Sequence, residues 1–307
     1  ANVAGSLLSL IVFFKGAPEE LKKIRIPDFS MAKIVIERGV WLLLYNLTFY
    51  GMILTARTLV SKFFSVEDFA LFNFANSVSN SIFLLLGSLN FLFYPKLINI
   101  ISTKSNEQMI GFVEKIRTYY LTLTLFIVFI SLLSLPVLFY FLPQYAGASV
   151  CLQVLLLGQL IINNSFGYST LLVQRRKEPQ MTVAATLSIA IIIICSLAGM
   201  HYYKDIITVA LAVVAGVLFY NILVGYMGNK EMGQVKSAGQ LLLKTFKGSL
   251  FIPILCYIAL SLIIDYYYVN VMTSLLVYLL LNMKDLKHIW AGGLKSFFSK
   301  QNVLSIE

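Results

Sequence analysis

The residues in this sequence that are best suited to bind a ligand are one arginine and a row of amides, all within apolar segments. Arg57 ends a largely apolar run over residues 42–56. A guanidinium can bind a phosphate through two parallel hydrogen bonds, so Arg57 is a candidate anion-binding residue facing a cavity. Alternatively, Arg57 marks the outer end of a membrane span and extends to the lipid headgroups. The sequence leaves both interpretations open.

The amides occur at helical spacing. One face of a predicted helix carries Asn73, Asn76, Ser77 and Asn80, since positions three and four apart share a face. A weaker row of Gln159, Asn163 and Gly167 follows, for which helix packing is the favoured role. Amides are unfavourable in lipid, so these rows should face protein or water, either joining helices or lining a path for a polar, sugar-bearing cargo. The predicted substrate-binding residues are Arg57, Asn73, Asn76, Ser77, Asn80 and Asn163.

Catalytic and metal-binding patterns are missing from the sequence. It has no GxSxG, HExxH, Walker or GxGxxG motif, and its 14 carboxylates fall in predicted loops or at span ends. The two histidines are too few and too far apart for a metal site. The three cysteines lie in or beside apolar segments, as buried small side chains do. We therefore predict that the protein is not an enzyme and uses no metal or cofactor.

Composition indicates which elements position these residues. Hydrophobic residues make up 59% of 307 positions, charged residues 12%, and the mean hydropathy is +0.82. A soluble domain of this size would need more charge on its surface. Backbone groups in lipid must pair within their own segment, and about 20 apolar residues in a helix cross the hydrocarbon core. The predicted fold class is all-α, a polytopic transmembrane helical bundle.

About nine spans are predicted. They cover residues 1–14, 36–56, 71–94, 118–140, 149–172, 181–199, 206–226, 249–264 and 268–283. All 24 Lys and Arg residues except Arg57, Lys62 and Lys204 fall in alternate spacers or at their edges. Basic residues concentrate on the cytoplasmic side, so these spacers and the C-terminus should be cytoplasmic. The net charge is +10, but the Lys and Arg residues lie in short loops between apolar spans, so we predict no nucleic-acid partner.

Several segments resemble one family of membrane transporters. They are residues 55–64 (TARTLVSKFF), 66–75 (VEDFALFNFA), 93–97 (FYPKL), 145–148 (YAGA) and 152–155 (LQVL). In order and spacing they resemble the polysaccharide-repeat flippases of O-antigen (Wzx) type, in the multidrug/oligosaccharidyl-lipid/polysaccharide exporter superfamily. Arg57 matches the arginine of that family's pattern, but Ala56 stands where the family has aspartate. An ion pair between these neighbours is therefore not expected here.

The resemblance implies a domain organisation with a MATE-like C-terminal lobe plus two extra helices. Residues 1–14 would end a span of a truncated N-terminal lobe, since fourteen residues are short for a crossing. The other implied parts are a cytoplasmic linker (15–35), a six-helix transmembrane lobe (36–228), two additional helices with a preceding cytoplasmic loop (229–285) and a cytoplasmic tail (286–307).

The resemblance also implies a function in O-antigen and lipopolysaccharide assembly at the bacterial inner membrane. The cargo would be an undecaprenyl-pyrophosphate-linked oligosaccharide, translocated by alternating access, with its pyrophosphate at Arg57 and its sugars at the amide row. The implied partners are this lipid-linked oligosaccharide, membrane lipids and glycan-assembly proteins. One alternative is a cation-coupled multidrug exporter of the same superfamily. Another is a membrane-bound polymerase or ligase of surface glycans, for which the predicted outer loops are short.

Overall fold

The computed structural model describes residues 29–103, 105–234 and 238–289, and it is all-helical over these ranges. Within them there are ten α-helices. They are α1 (Phe29–Phe63), α2 (Val66–Thr103), α3 (Asn106–Phe141), α4 (Ser149–Asn163), α5 (Tyr168–Gln174), α6 (Glu178–Tyr202), α7 (Ile206–Glu231), α8 (Ala238–Thr245), α9 (Gly248–Ile263) and α10 (Tyr267–His288). A 3₁₀ helix over Pro143–Ala148 leads into α4. The predicted all-α fold class is confirmed for these ranges.

Seven helical segments in the described ranges are long and apolar enough to cross a membrane. They are Val35–Phe63, Val66–Gly87, Glu107–Phe141, Pro143–Asn163, Glu178–Tyr202, Ile206–Glu231 and Tyr267–His288. The predicted span 249–264 coincides with α9, an apolar helix of 16 residues that is shorter than these seven. The predicted segment 1–14 lies outside the described residues, so the count of about nine stays a prediction.

Two predicted boundaries differ from the structure. The segment 149–172 was expected to be continuous, but it consists of α4 and α5 with a turn at residues 164–167 between them. The predicted span 36–56 lies within a longer helix, since α1 is already helical from Phe29 onward, inside the predicted cytoplasmic linker 15–35. Helices continue past their apolar windows because backbone hydrogen bonding does not depend on side-chain hydropathy.

Contacts divide the chain into two units, Ala1–Trp41 and Leu42–Glu307. The described part of the first unit is the beginning of α1. In the second unit, α7 packs against α4, α5, α6 and α8. At one such contact, a Cβ added to Gly216 would collide with Cγ1 of Ile192 on α6. Small residues permit this close approach. In lipid there is no hydrophobic driving force between helices, so close van der Waals packing of this kind stabilises their association.

The last two helices belong to the same packed unit as α3. The Tyr278 hydroxyl of α10 donates to the Thr122 carbonyl of α3 at 2.8 Å, and Tyr267 donates to the Leu132 carbonyl at 2.5 Å. Asn282 of α10 also donates to a carbonyl at the start of α9, at 2.8 Å. Buried polar groups therefore attach the α9–α10 hairpin to the rest of the unit.

The outward surface of these helices is apolar. Leu255 and Leu262 of α9 are 63% and 83% exposed, and Leu280 of α10 is 63% exposed. A continuous surface of this kind is unfavourable in water and favourable against lipid chains. Together with the seven candidate spans, it assigns the chain to the multi-pass membrane proteins.

Candidate functional site

A groove of about 440 Å³ opens along α1, where α2 and the end of α4 approach it. Its lining is mostly apolar and comprises Phe49, Tyr50, Gly51, Ile53, Leu54, Leu84 and Ile162. Two polar side chains also line it, Arg57 from α1 and Asn80 from α2. The groove therefore joins an extended apolar wall to a single cationic group.

Arg57 is held by an amide rather than by a carboxylate. The Asn76 amide oxygen accepts hydrogen bonds from Nε and Nη2 of Arg57, both at 2.7 Å, in the amide orientation that satisfies both partners. Asn76 is buried, and the Asn80 amide lies 3.3 Å from the Asn76 amide. Among the described residues, no carboxylate lies within ion-pair distance of Arg57. Within the part of the chain that the structure describes, the guanidinium is thus oriented by a neutral amide, and no carboxylate forms an ion pair with it.

The tight connection between α1 and α2 explains this pairing. Ser65 follows the end of α1, and its hydroxyl accepts a hydrogen bond from the Asp68 backbone N–H at 3.1 Å and donates to the Asp68 carboxylate at 2.8 Å. These bonds cap the first turn of α2. The helical hairpin then brings Arg57 of α1 against Asn76 of α2. The nearest acidic residues of α2 are at its first turn, where Asp68 serves the cap.

A second, polar pocket of about 170 Å³ adjoins the groove and shares Phe49, Tyr50 and Ile162 with it. Its other lining residues are Tyr45, Asn46, Tyr120, Asn163, Ser165, Phe166 and Ser169. The pocket contains amides, hydroxyls and aromatic rings. From Asn46 to Arg57, α1 rises about 16 Å, so the pocket and the guanidinium lie at different depths along one helix.

Asn163 lines this pocket, and two hydrogen bonds fix its side chain. Its Oδ1 accepts a hydrogen bond from the Tyr120 hydroxyl at 2.7 Å, and its Nδ2 donates to the Gln159 carbonyl at 2.8 Å. The Tyr120 ring also packs against Phe166, with ring centroids 4.2 Å apart. Asn163 therefore presents an oriented amide at the end of α4, where the helix stops.

The helix stops because the chain turns sharply at residues 164–167. Gly167 has φ +87° and ψ −53°, a conformation that side chains with a Cβ rarely adopt. Irregular backbone at membrane depth is tolerated where it is buried in protein or lines a cavity. This turn does both, since Asn164 is buried while Ser165 and Phe166 line the pocket. Discontinuous helices of this kind form binding sites in many transporters.

The predicted site residues fall into three groups. Arg57 and Asn76 are hydrogen-bonded at the groove with the Asn80 amide beside them, and Asn163 lies in the adjoining pocket. Asn73 is half-buried and Ser77 is exposed, and neither lines the groove or the pocket. A substrate contact at those two positions stays a prediction that the geometry does not favour.

The structure adds residues that the sequence did not single out. Ser79 of α2 accepts a hydrogen bond from Gln159 of α4 at 2.8 Å, so one part of the amide rows does join helices. Tyr120 lies in a plain apolar run, where nothing marks it as a pocket residue. Arg117 was placed in a cytoplasmic spacer, but it is a buried residue of α3, 6% exposed. The position of Arg117 at the edge of an apolar run was the feature of the sequence that could have indicated its burial.

The fold and the site together define a class: a multi-pass helical membrane protein with an apolar groove, an arginine that no described carboxylate pairs with, and an adjoining amide-lined pocket. Comparison with known proteins gives no match to any family model, any curated protein or any solved structure. The resemblance to polysaccharide-repeat flippases therefore stays a prediction from the quoted motifs.

Proposed function

We propose that the protein translocates an undecaprenyl-pyrophosphate-linked oligosaccharide across the bacterial inner membrane by alternating access. The observation that carries the proposal is the Arg57–Asn76–Asn80 cluster at the end of the apolar groove. A phosphate oxygen can replace an amide oxygen as the acceptor of a guanidinium, and the charged pair is stronger than the neutral one. An anionic headgroup would therefore compete well with Asn76 for Arg57.

The apolar wall of the groove is suited to the hydrocarbon part of an amphiphilic cargo. Phe49, Leu54 and Leu84 offer carbon surface beside Arg57, as a lipid chain attached to a phosphate requires. The pocket about 16 Å further along α1 offers the Asn46 and Asn163 amides, which suit hydroxyl groups of sugars. A molecule with a hydrocarbon chain, a pyrophosphate and a neutral saccharide matches the three kinds of surface.

The two alternatives fit these surfaces less well. A cationic drug would meet the positive charge of Arg57, and the described lining of groove and pocket includes no carboxylate to attract it. A polymerase or ligase needs general acid and base groups near the reacting atoms. The described lining residues include no Asp, Glu or His. We therefore propose transport without catalysis.

A leaflet assay tests the proposed function. The purified protein is placed in liposomes that contain a fluorescent undecaprenyl-pyrophosphate oligosaccharide, and a membrane-impermeant quencher reports the fraction left in the inner leaflet. We expect protein-dependent exchange of this lipid, and markedly slower exchange of an uncharged polyprenyl glycoside with the same saccharide. Equal exchange of a cationic amphiphile, or no exchange of the pyrophosphate lipid, would contradict the proposal.

A further inference from the structure

Arg117 of α3 is a buried cation whose hydrogen-bond acceptors are neutral oxygen atoms, although the Glu114 carboxylate one turn earlier also acts on it electrostatically. Its Nε donates to the Asn164 carbonyl at 3.2 Å, and its Nη2 donates to Asn164 Oδ1 at 2.5 Å. Its Nη1 donates to the Lys244 carbonyl at 3.1 Å, and its Nη2 also donates to the Thr245 carbonyl. The guanidinium carbon lies 4.4 Å from the centroid of the Tyr168 ring. One side chain thus joins three separate parts of the chain.

These acceptors lie where two helices end. The last carbonyls of an α-helix have no partner within the helix and carry a partial negative charge. Asn164 follows α4 directly, and Lys244 and Thr245 are the last residues of α8. Arg117 supplies hydrogen bonds to both ends at once, so α3 connects the interrupted helix α4–α5 with the short helix α8.

Two glycines of α7 complete the contact. A Cβ added to Gly225 would lie 2.5 Å from Cγ2 of Thr245, and a Cβ added to Gly228 would lie 2.6 Å from Cδ1 of Tyr168. Positions three residues apart share a helix face, so the end of α8 and the start of α5 dock on one side of α7. We call Arg117, Asn164, Tyr168, Gly225, Gly228 and Thr245 the arginine junction.

The arginine junction contains residues that adjoin the lining of the polar pocket in the chain. Asn163 and Ser165 flank Asn164 in the chain, and both line the pocket. Tyr120 lies one turn after Arg117 on α3 and donates to Asn163 Oδ1 at 2.7 Å. The same stretch of α3 therefore contacts the turn at two neighbouring residues, Asn163 through Tyr120 and Asn164 through Arg117.

We propose that Arg117 is a positioning residue that sets the pocket wall and couples this wall to α8. A shift of α8 moves the Lys244 and Thr245 carbonyls, and Arg117 passes the change to Asn164 and so to its neighbours in the pocket. Neutral acceptors suit such a link, because water can replace each of them more readily than it can replace a carboxylate. The coupling is a property of the cavity and holds for any cargo.

A cysteine reporter tests this coupling. Ser169 lines the pocket from α5, and Ser169→Cys is introduced after Cys151, Cys195 and Cys256 are replaced by alanine. The rate of reaction with a membrane-impermeant maleimide, measured in membrane vesicles opened to both sides, reports how often the wall opens to water. Arg117→Lys keeps the charge but cannot satisfy all four acceptors, so we expect the rate to rise about tenfold or more.

Gly225→Ala gives an independent perturbation that leaves Arg117 intact. The added methyl group collides with Thr245 and displaces α8, so the rate should rise here too. Gly216→Ala is the matched packing control, because its methyl group collides with Ile192 on α6, outside the arginine junction. Only protein that elutes as a monodisperse species is compared. We expect this control to react at the rate of the parent.

The proposal requires a faster rate in both Arg117→Lys and Gly225→Ala. A rate equal to that of the parent in either variant would overturn it, as would an equally fast reaction in Gly216→Ala. If Arg117→Lys is not recovered as folded protein, Gly225→Ala against Gly216→Ala decides the matter. The measurement needs no cargo, so its failure leaves the proposed transport function untouched, and a failed leaflet assay leaves this inference standing.

Discussion

Arg57→Ala is expected to slow exchange of the pyrophosphate lipid by about ten- to a hundredfold in the leaflet assay, because it removes a charge-assisted contact with the headgroup. Arg57→Lys keeps the positive charge but loses the two parallel donors that Nε and Nη2 now direct at Asn76. Its exchange rate should lie between those of the parent and the alanine variant. Rates are measured at equal amounts of protein in the liposomes.

Lys62→Ala is the matched control for Arg57→Ala. Lys62 is an exposed cation on the same helix, five positions further on, and it does not line the groove. If binding of the headgroup in the groove determines the rate of lipid exchange, Lys62→Ala should exchange the lipid at a rate close to that of the parent. If both substitutions slow exchange equally, the effect comes from surface charge alone. Parent-like exchange in Arg57→Ala would remove Arg57 from the proposed site.

Gly167→Ala is expected to lower the free energy of unfolding by about 1–3 kcal/mol and to impair exchange of the lipid. The cost comes from the backbone, since a residue with a Cβ does not tolerate φ +87° with ψ −53°. Space is not the obstacle, because the added Cβ would have its nearest neighbours at 3.5 Å (Val113) and 3.6 Å (Arg117), at ordinary contact distance. Denaturant unfolding in detergent micelles measures the stability, and the leaflet assay measures the exchange.

Gly233→Ala is the control for Gly167→Ala, because it introduces backbone strain at a position away from the pocket. Gly233 also has a positive φ, +68°, but nothing lies within 4 Å of its added Cβ, and it follows α7 rather than the pocket. It should lose about 1 kcal/mol of stability and keep its exchange rate. Parent-like stability in Gly167→Ala would mean that the chain passes from α4 to α5 without the turn described here.

Helix positions could be predicted because lipid imposes one simple requirement, a sufficient length of apolar residues. Each predicted segment in the described ranges coincides with helical structure, including the short α9. The turn at residues 164–167 does not follow from hydropathy, because apolar residues lie on both sides of it and no proline interrupts residues 149–172, although Asn164, Ser165 and Gly167 are residue types typical of turns. It depends on Arg117 and on Tyr120, which are distant in sequence and bond to Asn164 and Asn163.

The site could be predicted only in part, for a similar reason. Helical spacing identified Asn76 and Asn80, and the charge in an apolar run identified Arg57. Their contact depends on the α1–α2 hairpin, which is a property of the fold and not of spacing within one helix. Spacing also grouped Asn73 and Ser77 with these residues, although the groove contacts only part of the predicted face.

The central claim is that the groove contains water and binds an anionic lipid. It is tested most directly by labelling a cysteine at position 80 with and without that lipid. Asn80 lines the groove beside the Arg57–Asn76 pair, and Asn80→Cys in the background without native cysteines places a thiol there. We expect a membrane-impermeant maleimide to label this thiol, and a short-chain polyprenyl-pyrophosphate saccharide to protect it, whereas the uncharged glycoside should not. A thiol that never reacts, or one that reacts equally fast with and without the pyrophosphate lipid, would contradict a wet, anion-binding groove.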